Sequence, residues 1–493
     1  MTETHAEAQP LQGTNILNCN NKNRYLGMDA VRGFAVCGIL MRNIFAFAIP
    51  PYAYSFPTIW NSGEYRDILS WAFVEVFVDG VMRALFALLF GAAAMLVFSS
   101  IDKVNVEKID LYFRRSMWLM AFGLVHSFLL LCSFDILFIY GLLGLFLFPF
   151  RNLSPKALLG IAVVGMVVSA TMLNLQNGDL FTASPTQNES VESALNEAEN
   201  ATEQSPGDIG ANSGAETDGQ AAPTAPQAAQ PDANQPEPSQ PESNTETNEE
   251  LLTGYLGTIW AGEVDEMQQG YGVIMRNLSQ TSLANYSSEL LTNHFTDIGI
   301  LFFIGMAFFK LGIITGQKSL SFYLSLCLGG YAAGLQVNGF ETFSDLLQVT
   351  LSLEAPLWTN FSYDVGRIAM AMGHLGLIMT LSKVRLFNLV TRLFAAAGRM
   401  ALTNYMMQTI ICTSLFFGYG LGLYGQMGHF DLLMMAFGIA FAQLIFSAIY
   451  LRYFRLGPAE WLWRRLSKGK AKPAKDAVSK RKADDNPIAV QTA

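Results

Sequence analysis

The sequence predicts an all-α fold, a polytopic integral membrane helix bundle with about ten transmembrane helices. Three observations carry that expectation. Hydrophobic residues make up 51% of the 493-residue chain and charged residues only 14%, where soluble proteins carry about 25% charged residues. Mean hydropathy is +0.29. Apolar runs of bilayer-spanning length recur, near residues 30–49, 70–98, 114–132, 134–150, 157–174, 295–313, 319–336, 362–381, 394–417 and 430–452. The formal charge of −9 does not point to nucleic acid, because one acidic segment accounts for it.

Taken in order, the chain opens on a polar segment, residues 1–29. It lacks the short apolar core and small-residue cleavage site of a secretory signal, so the first span is expected to serve as an uncleaved signal. Residues 30–174 form a first bundle of about five helices. Its third and fourth spans must turn sharply at "SFD", residues 133–135. Residues 175–294 are expected to form a loop on the outer face. Within it, 183–250 has no Lys or Arg and is rich in Pro, Gln, Ala, Ser and Glu, a composition that cannot bury enough surface to fold. Residues 251–290 regain aromatics and are expected to form an amphipathic helix at the outer interface. Residues 295–466 make the second bundle, again about five helices, and 467–493 a basic tail.

Orientation follows from the short loops. Lys103, Lys108, Arg114 and Arg115 lie before the third span; Arg151 and Lys156 follow the fourth; Lys310 and Lys318 flank a later turn; Lys383, Arg385 and Arg392 precede the ninth. The alternate connections, 50–69 and 337–361, hold one Arg and none. Basic loops stay inside, so both termini are expected to be cytoplasmic.

The informative residues are the polar ones inside these spans, since a charge at a bilayer centre costs roughly 2.5–3.5 kcal/mol on insertion scales. In "RYLGMDAVRGFAVCGILMRN" (24–43), Asp29, Arg32 and Asn43 share a helical stripe, and Asp29 can pair with Arg32 three residues on. Asn43 lies about 16 Å further along the helix than Arg32. Arg42 points elsewhere and needs its own partner. The second span places Glu75, Asp79 and Arg83 four apart on one face, with Asp79 and Arg83 set to pair. His126 and Asp135 flank the tight turn between the third and fourth spans, and a carboxylate beside an imidazole is a workable general-base arrangement. The eighth span carries Tyr363, Asp364, Arg367 and His374; the ninth carries Arg399, Thr403, Asn404 and Gln408; the tenth carries Gln443 and Ser447. Glu75, Asp79, Arg83, Asp364, Arg367, His374, Asn404 and Gln408 are expected to line a polar interior together with Asp29 and Asn43. The plainer alternative for the amides and hydroxyls is helix-to-helix hydrogen bonding, and for Arg32 a side chain that snorkels to the interface.

Other chemistries have no support. The sequence holds no Walker A motif, no dinucleotide-binding GxGxxG, no HExxH and no GxSxG. The five cysteines (Cys19, Cys37, Cys132, Cys327, Cys412) show no paired or zinc-type spacing, so no metal is expected.

Several longer stretches carry a resemblance. "RYLGMDAVRGFAVCGILMRNIFAF", "RALFALLFGAAA" (83–94), "FRRSMWLMAFGLVHSFLLLCSFDILFIYGLLGL" (113–145), "GRMALTNYMMQT" (398–409), "GYGLGLYGQMG" (418–428) and "LRYFRLGPAEWLWRRL" (451–466) resemble YeiB-like bacterial inner-membrane proteins. The last three resemble the C-terminal domain of unknown function that defines that group. The resemblance implies the bacterial inner membrane. The D-x-x-R-G opening, Asp29 to Gly33 here, is also similar to that of a wider superfamily of transmembrane acyltransferases, including the lysosomal heparan acetyltransferase. Those relatives use acyl-CoA at the cytoplasmic face and a histidine catalyst. The outer loop 50–69 has no His, so that catalytic residue does not carry over, and His126 with Asp135 is the substitute candidate.

On that expectation, a coenzyme A thioester is the co-substrate. Arg32, Arg114, Arg115 and Arg399 would meet its phosphates, as guanidinium forks suit phosphate oxygens. Asn404 or Gln408 would support an oxyanion. The acceptor would be an envelope glycan or an exported small molecule. Two other readings stand beside it: a transporter of a small anionic or amphipathic solute, against which no broken helix is evident in the sequence, and a non-catalytic membrane scaffold. The lipid bilayer is the one partner that composition implies; nucleic acid is not a partner, and the sequence leaves the oligomeric state open.

Overall fold

A computed structural model describes residues 26–58, 60, 64–99, 106–176, 248–288, 295–351 and 359–468. The expectations for the first 25 residues, for most of the acidic insert and for the tail beyond 468 lie outside the described residues. Within them the chain is α-helical and no strand occurs.

The apolar periodicity of the first span produces α1 (Leu26–Ala48), buried along most of its length. A short helix α2 (Pro51–Ser55) follows. The expected second span, 70–98, is two helices, α3 (Tyr65–Phe77) and α4 (Val81–Phe98). The break has a local cause. Gly80 takes φ +64°, a left-handed conformation that glycine adopts at little cost and that ends helices. α5 (Val106–Leu124) begins about two turns before the expected third span, in a charged stretch, and runs into a single π-helical turn, Val125–Leu129. The tight turn at "SFD" is real, and Leu131 reaches φ +64° there. Then come α6 (Leu137–Phe146) and α7 (Pro155–Gln176).

The stretch 251–290 contains two helices rather than one, α8 (Asn248–Met267) and α9 (Tyr271–Ser288). The second bundle consists of α10 (Phe295–Lys310), α11 (Leu320–Leu351), α12 (Thr359–Lys383), α13 (Asn388–Arg399), α14 (Ala401–Phe416), α15 (His429–Tyr453) and α16 (Pro458–Lys468). The expected ninth span, 394–417, is therefore split at Met400, the second broken helix that the sequence did not reveal. Among the described residues, five segments are by length and composition apolar enough to cross a membrane: Leu26–Ala48, Tyr65–Phe98, Leu320–Leu347, Ser362–Lys383 and His429–Tyr453. Leu137–Phe146 and Pro155–Thr171 are apolar but shorter.

α1 is the centre of the bundle and packs against α4, α12, α13, α14 and α15. Its approach to α13 is backbone-close. A Cβ on Gly33 would strike the backbone of Phe394 and Gly398, and one on Gly398 would strike that of Asp29. Glycine at both positions is what lets Arg32 and Arg399 come to one place. Cys37, Cys132, Cys327 and Cys412 are buried free thiols.

Candidate functional site

Two cavities lie along α1 and α4 and a third lies between α3, α11 and α12, and their linings overlap. The first, about 290 Å³, has Arg32, Arg399, Arg464, Glu460 and Trp463 among its lining residues together with an apolar wall that includes Phe86, Leu89 and Leu119. The second, about 210 Å³, is lined by Arg42, Asn43, Asp79 and Arg83 among others. Ile39, Ile136 and Tyr405 line both. The third, about 250 Å³, is lined by Glu75, Asp79, Asn338, Glu341, Thr342, Asp345, Tyr363 and Arg367, so Asp79 joins it to the second. Arg32 and Arg42 are ten residues apart, about 15 Å along a helix. The Arg32 cavity and the Arg42 cavity thus approach one partition of three side chains from opposite ends of α1.

The helix breaks put backbone at both cavities. Val78, Asp79 and Gly80, between α3 and α4, line the Arg42 cavity. Ala401 and Leu402, the first residues of α14, line the Arg32 cavity. The orphan donors at that helix start are satisfied in trans. Glu460 of α16 accepts from the Leu402 and Thr403 backbone N–H groups at 2.7 and 3.1 Å and from the Thr403 hydroxyl at 2.5 Å. A carboxylate on a helix N-terminus is favoured by the helix dipole as well as by these bonds.

The charged residues pair differently from the expectation in part. Asp29 and Arg32 do pair, at 3.0 Å. Asp79 and Arg83 do not. Asp79 accepts from Arg42 Nε at 2.7 Å, and the Arg42 guanidinium lies 3.8 Å from the centre of the Tyr54 ring. The break after α3 is the reason, because it takes Asp79 out of the i,i+4 register with Arg83. Arg83 instead sits 3.6 Å from Asp297 and donates to the Tyr363 hydroxyl at 3.3 Å. Arg367 is ion-paired with both Asp297 and Asp364. Asp297, which the sequence reading missed, carries no periodicity signal; only the packing of α10 on α4 brings it there.

His126 and Asp135 are together, as expected, with Nδ1 2.7 Å from the carboxylate and both side chains fully buried. The same carboxylate accepts from the Phe138 N–H at 3.0 Å. Nε2 lies 2.7 Å from the hydroxyl of Thr409. A carboxylate only accepts, so Asp135 places a proton on Nδ1, and Nε2 shares the second hydrogen bond with the Thr409 hydroxyl. Both ring nitrogens are therefore engaged, and His126 lines none of the three cavities. Tyr405 stands between: its ring centre is 4.7 Å from that of His126, and it lines both cavities at their common wall. Its buried hydroxyl lies beside the Ile136 backbone and the Cys132 thiol. Thr409 and Tyr405 were not singled out in sequence, although both lie in the "GRMALTNYMMQT" stretch.

Other expected site residues are occupied structurally. His374 donates from Nε2 to the Phe77 carbonyl at 2.9 Å, leaving Nδ1 to accept from the Tyr331 hydroxyl at 2.7 Å. Asn404 donates to the Ala397 carbonyl and to Ser447, and Gln408 to the Val36 carbonyl and to Gln443. These amides knit α1, α13, α14 and α15 together and line none of the three cavities. Arg114 pairs with Asp110 at 2.9 Å and is half-exposed. Arg115 packs beside Trp463. Neither lines the Arg32 cavity; Arg464 does. Among the described residues no group of three or more His, Cys, Asp or Glu side chains could hold a metal ion.

Comparison with known proteins adds lineage. Residues 308–470 match a family described as "Protein of unknown function (DUF418)". Over 471 residues the chain is 28% identical to "Uncharacterized protein YeiB" of Escherichia coli (strain K12), covering 93% of this chain and 100% of that protein. Over 462 residues it is 25% identical to "Uncharacterized protein YxaH" of Bacillus subtilis (strain 168), covering 89% and 92% respectively. No solved structure matches. The matched domain supplies Arg399, Tyr405, Glu460 and Arg464, whereas Arg32, Arg42, Asp79 and His126 come from the preceding half, so the cavities are built from both. The chain carries a DUF418 domain in its C-terminal region and is homologous over most of its length to the uncharacterized YeiB and YxaH proteins.

Proposed function

We propose that this protein is a transmembrane acyltransferase that draws an acyl group from a coenzyme A thioester in the Arg32 cavity and passes it to an acceptor in the Arg42 cavity. The observation that carries the reading is the shared wall: two cavities of different chemistry end on the same three side chains, Ile39, Ile136 and Tyr405. The Arg32 cavity suits an amphipathic anion. Arg32, Arg399 and Arg464 at its rim match phosphate oxygens, and its aromatic and aliphatic wall matches an uncharged arm. The Arg42 cavity, with Asn43, Asp79 and Arg83, suits a hydrogen-bonding acceptor. In the transfer, an acceptor hydroxyl oxygen attacks the thioester carbonyl carbon. The carbon–sulfur bond breaks, and the hydroxyl proton ends on the departing thiolate, giving an ester and free coenzyme A. His126, sealed behind Tyr405 with Asp135 and Thr409, serves as a positioning residue for the wall. In this reading the protein sits in the bacterial inner membrane with both termini and the Arg32 cavity on the cytoplasmic side, and the acceptor is an envelope glycan or an exported small molecule.

A second reading, transport of a small anionic or amphipathic solute, draws on the two broken helices. Each turns a break toward a cavity, as discontinuous helices do in transporters. Purified protein with acetyl-labelled coenzyme A separates the two. Acyl transfer expects stabilisation by coenzyme A together with release of free thiol. Absence of a thermal shift, of thiol release and of acylated product would overturn it. Labelled solute that accumulates in proteoliposomes unmodified would favour transport.

A further inference from the structure

α16 (Pro458–Lys468) has two faces with different tasks. Its inner face is spent on the bundle. Glu460 is buried and caps α14, and Ser467 is fully buried. The Trp463 indole N–H donates to the Arg115 carbonyl at 3.0 Å. Glu460, Trp463 and Arg464 line the Arg32 cavity. The outer face is uncovered. Trp461 is 51% exposed and Leu462 41%, and the surface continues into Tyr453 (81%) and Phe454 (55%). The Arg465 guanidinium lies 5.3 Å from the centre of the Trp461 ring.

The charge on this segment is one-sided. Residues 452–468 hold five cations (Arg452, Arg455, Arg464, Arg465, Lys468) and one acid, Glu460. That acid is the residue turned inward on α14. What remains outward is aromatic and aliphatic surface ringed by Arg and Lys. Such a face suits neither bulk water nor the hydrocarbon core. It suits the boundary between them, where an indole ring and a guanidinium with an apolar stem both sit at headgroup level. A short helix with this division of faces lies in the interface plane, and its basic rim favours anionic headgroups.

We propose that α16, with the preceding Arg452–Arg455, is a docking surface for anionic phospholipid headgroups, and that this lipid contact seats the wall of the Arg32 cavity. Charge complementarity selects the occupant. The proposal does not depend on acyl transfer, since it concerns only what covers this face.

The full chain is reconstituted in nanodiscs of phosphatidylcholine, alone or with phosphatidylglycerol, with bromine on the acyl chains of the lipids. The Trp461 contribution is taken as the difference between the wild type and Trp461→Phe. With phosphatidylglycerol, Trp461 emission is expected to shift to the blue, to be quenched by bromine and to be shielded from acrylamide. The combined Arg452→Gln, Arg465→Gln, Lys468→Gln protein is expected to lose that shielding. Trp461 quenched by acrylamide to the same degree in both lipids overturns the proposal, as does shielding that the triple variant retains. Leu462→Cys carrying an environment-sensitive fluorophore reports on the same face and keeps the test independent of any folding defect in a tryptophan variant.

Discussion

The two ends of α1 each hold an arginine in an apolar bundle, and they do so in opposite ways. Arg32 finds its acid within its own helix, Asp29, three residues earlier. Arg42 has no acid one turn away in either direction, where the chain has Gly38, Ile39, Phe45 and Ala46. Its partner is Asp79, thirty-seven residues on, delivered by the broken segment between α3 and α4. A local pair survives small changes in packing because helix geometry holds it. A long-range pair exists only if the tertiary fold does, and it tells more about how the cavities are built.

The fully buried case is His126, held between Asp135 nine residues on and Thr409 of α14, and the largest effect is expected there. His126→Ala leaves the Asp135 carboxylate buried without its partner, which costs about 3–5 kcal/mol. Thermal unfolding of the purified protein checks this. A variant of unchanged stability but no activity would make the histidine a chemical participant instead of a positioning one.

Asp79→Asn strips the carboxylate from Arg42 in a half-buried site and is expected to cost about 1.5–3 kcal/mol, the range for a hydrogen bond to a charged group. A loss within error in the same unfolding experiment would mean that the Tyr54 face alone holds the guanidinium. At the other end of α1, the cavity arginines are separable by binding. Arg399→Gln is expected to weaken coenzyme A roughly 10- to 100-fold, about 1.4–2.7 kcal/mol, while Arg114→Gln leaves it unchanged because Arg114 lines no part of that cavity. Titration calorimetry on the two variants tests the difference, and equal losses would return Arg114 to the site. The smallest effect belongs to Asp29→Asn, about 0.2–0.5 kcal/mol for an i,i+3 pair within one helix, reduced further by salt. If Asp29→Asn proves as costly as Asp79→Asn, the contrast between the two ends of α1 fails.

Much of this was legible before folding. The Asp29–Arg32 pair and the meeting of His126 with Asp135 both follow from short separations, three and nine residues. The pairing of Asp79 with Arg83 was misread because it assumed an unbroken helix. Apolar composition on both sides of Gly80 hides a break that depends on one residue's φ angle. Asn404 and Gln408 were placed correctly on their helix, but their bonds go to α1, α13 and α15, which periodicity does not locate. Asp297 and Tyr405 gave no signal, since neither stands out from its own neighbours along the chain.

The sequence by itself determined the membrane character, the helical class and the pairs whose members lie within a few turns of each other. Hydropathy and helical period are local properties, set by side chains along one stretch of backbone. The tertiary structure alone decided which charges neutralise which across helices, that His126 is sealed, and that two cavities share Tyr405. Those outcomes depend on which faces meet, and on backbone contacts as close as that of Gly33 with Gly398, where a single added methyl group would change the distance between helices.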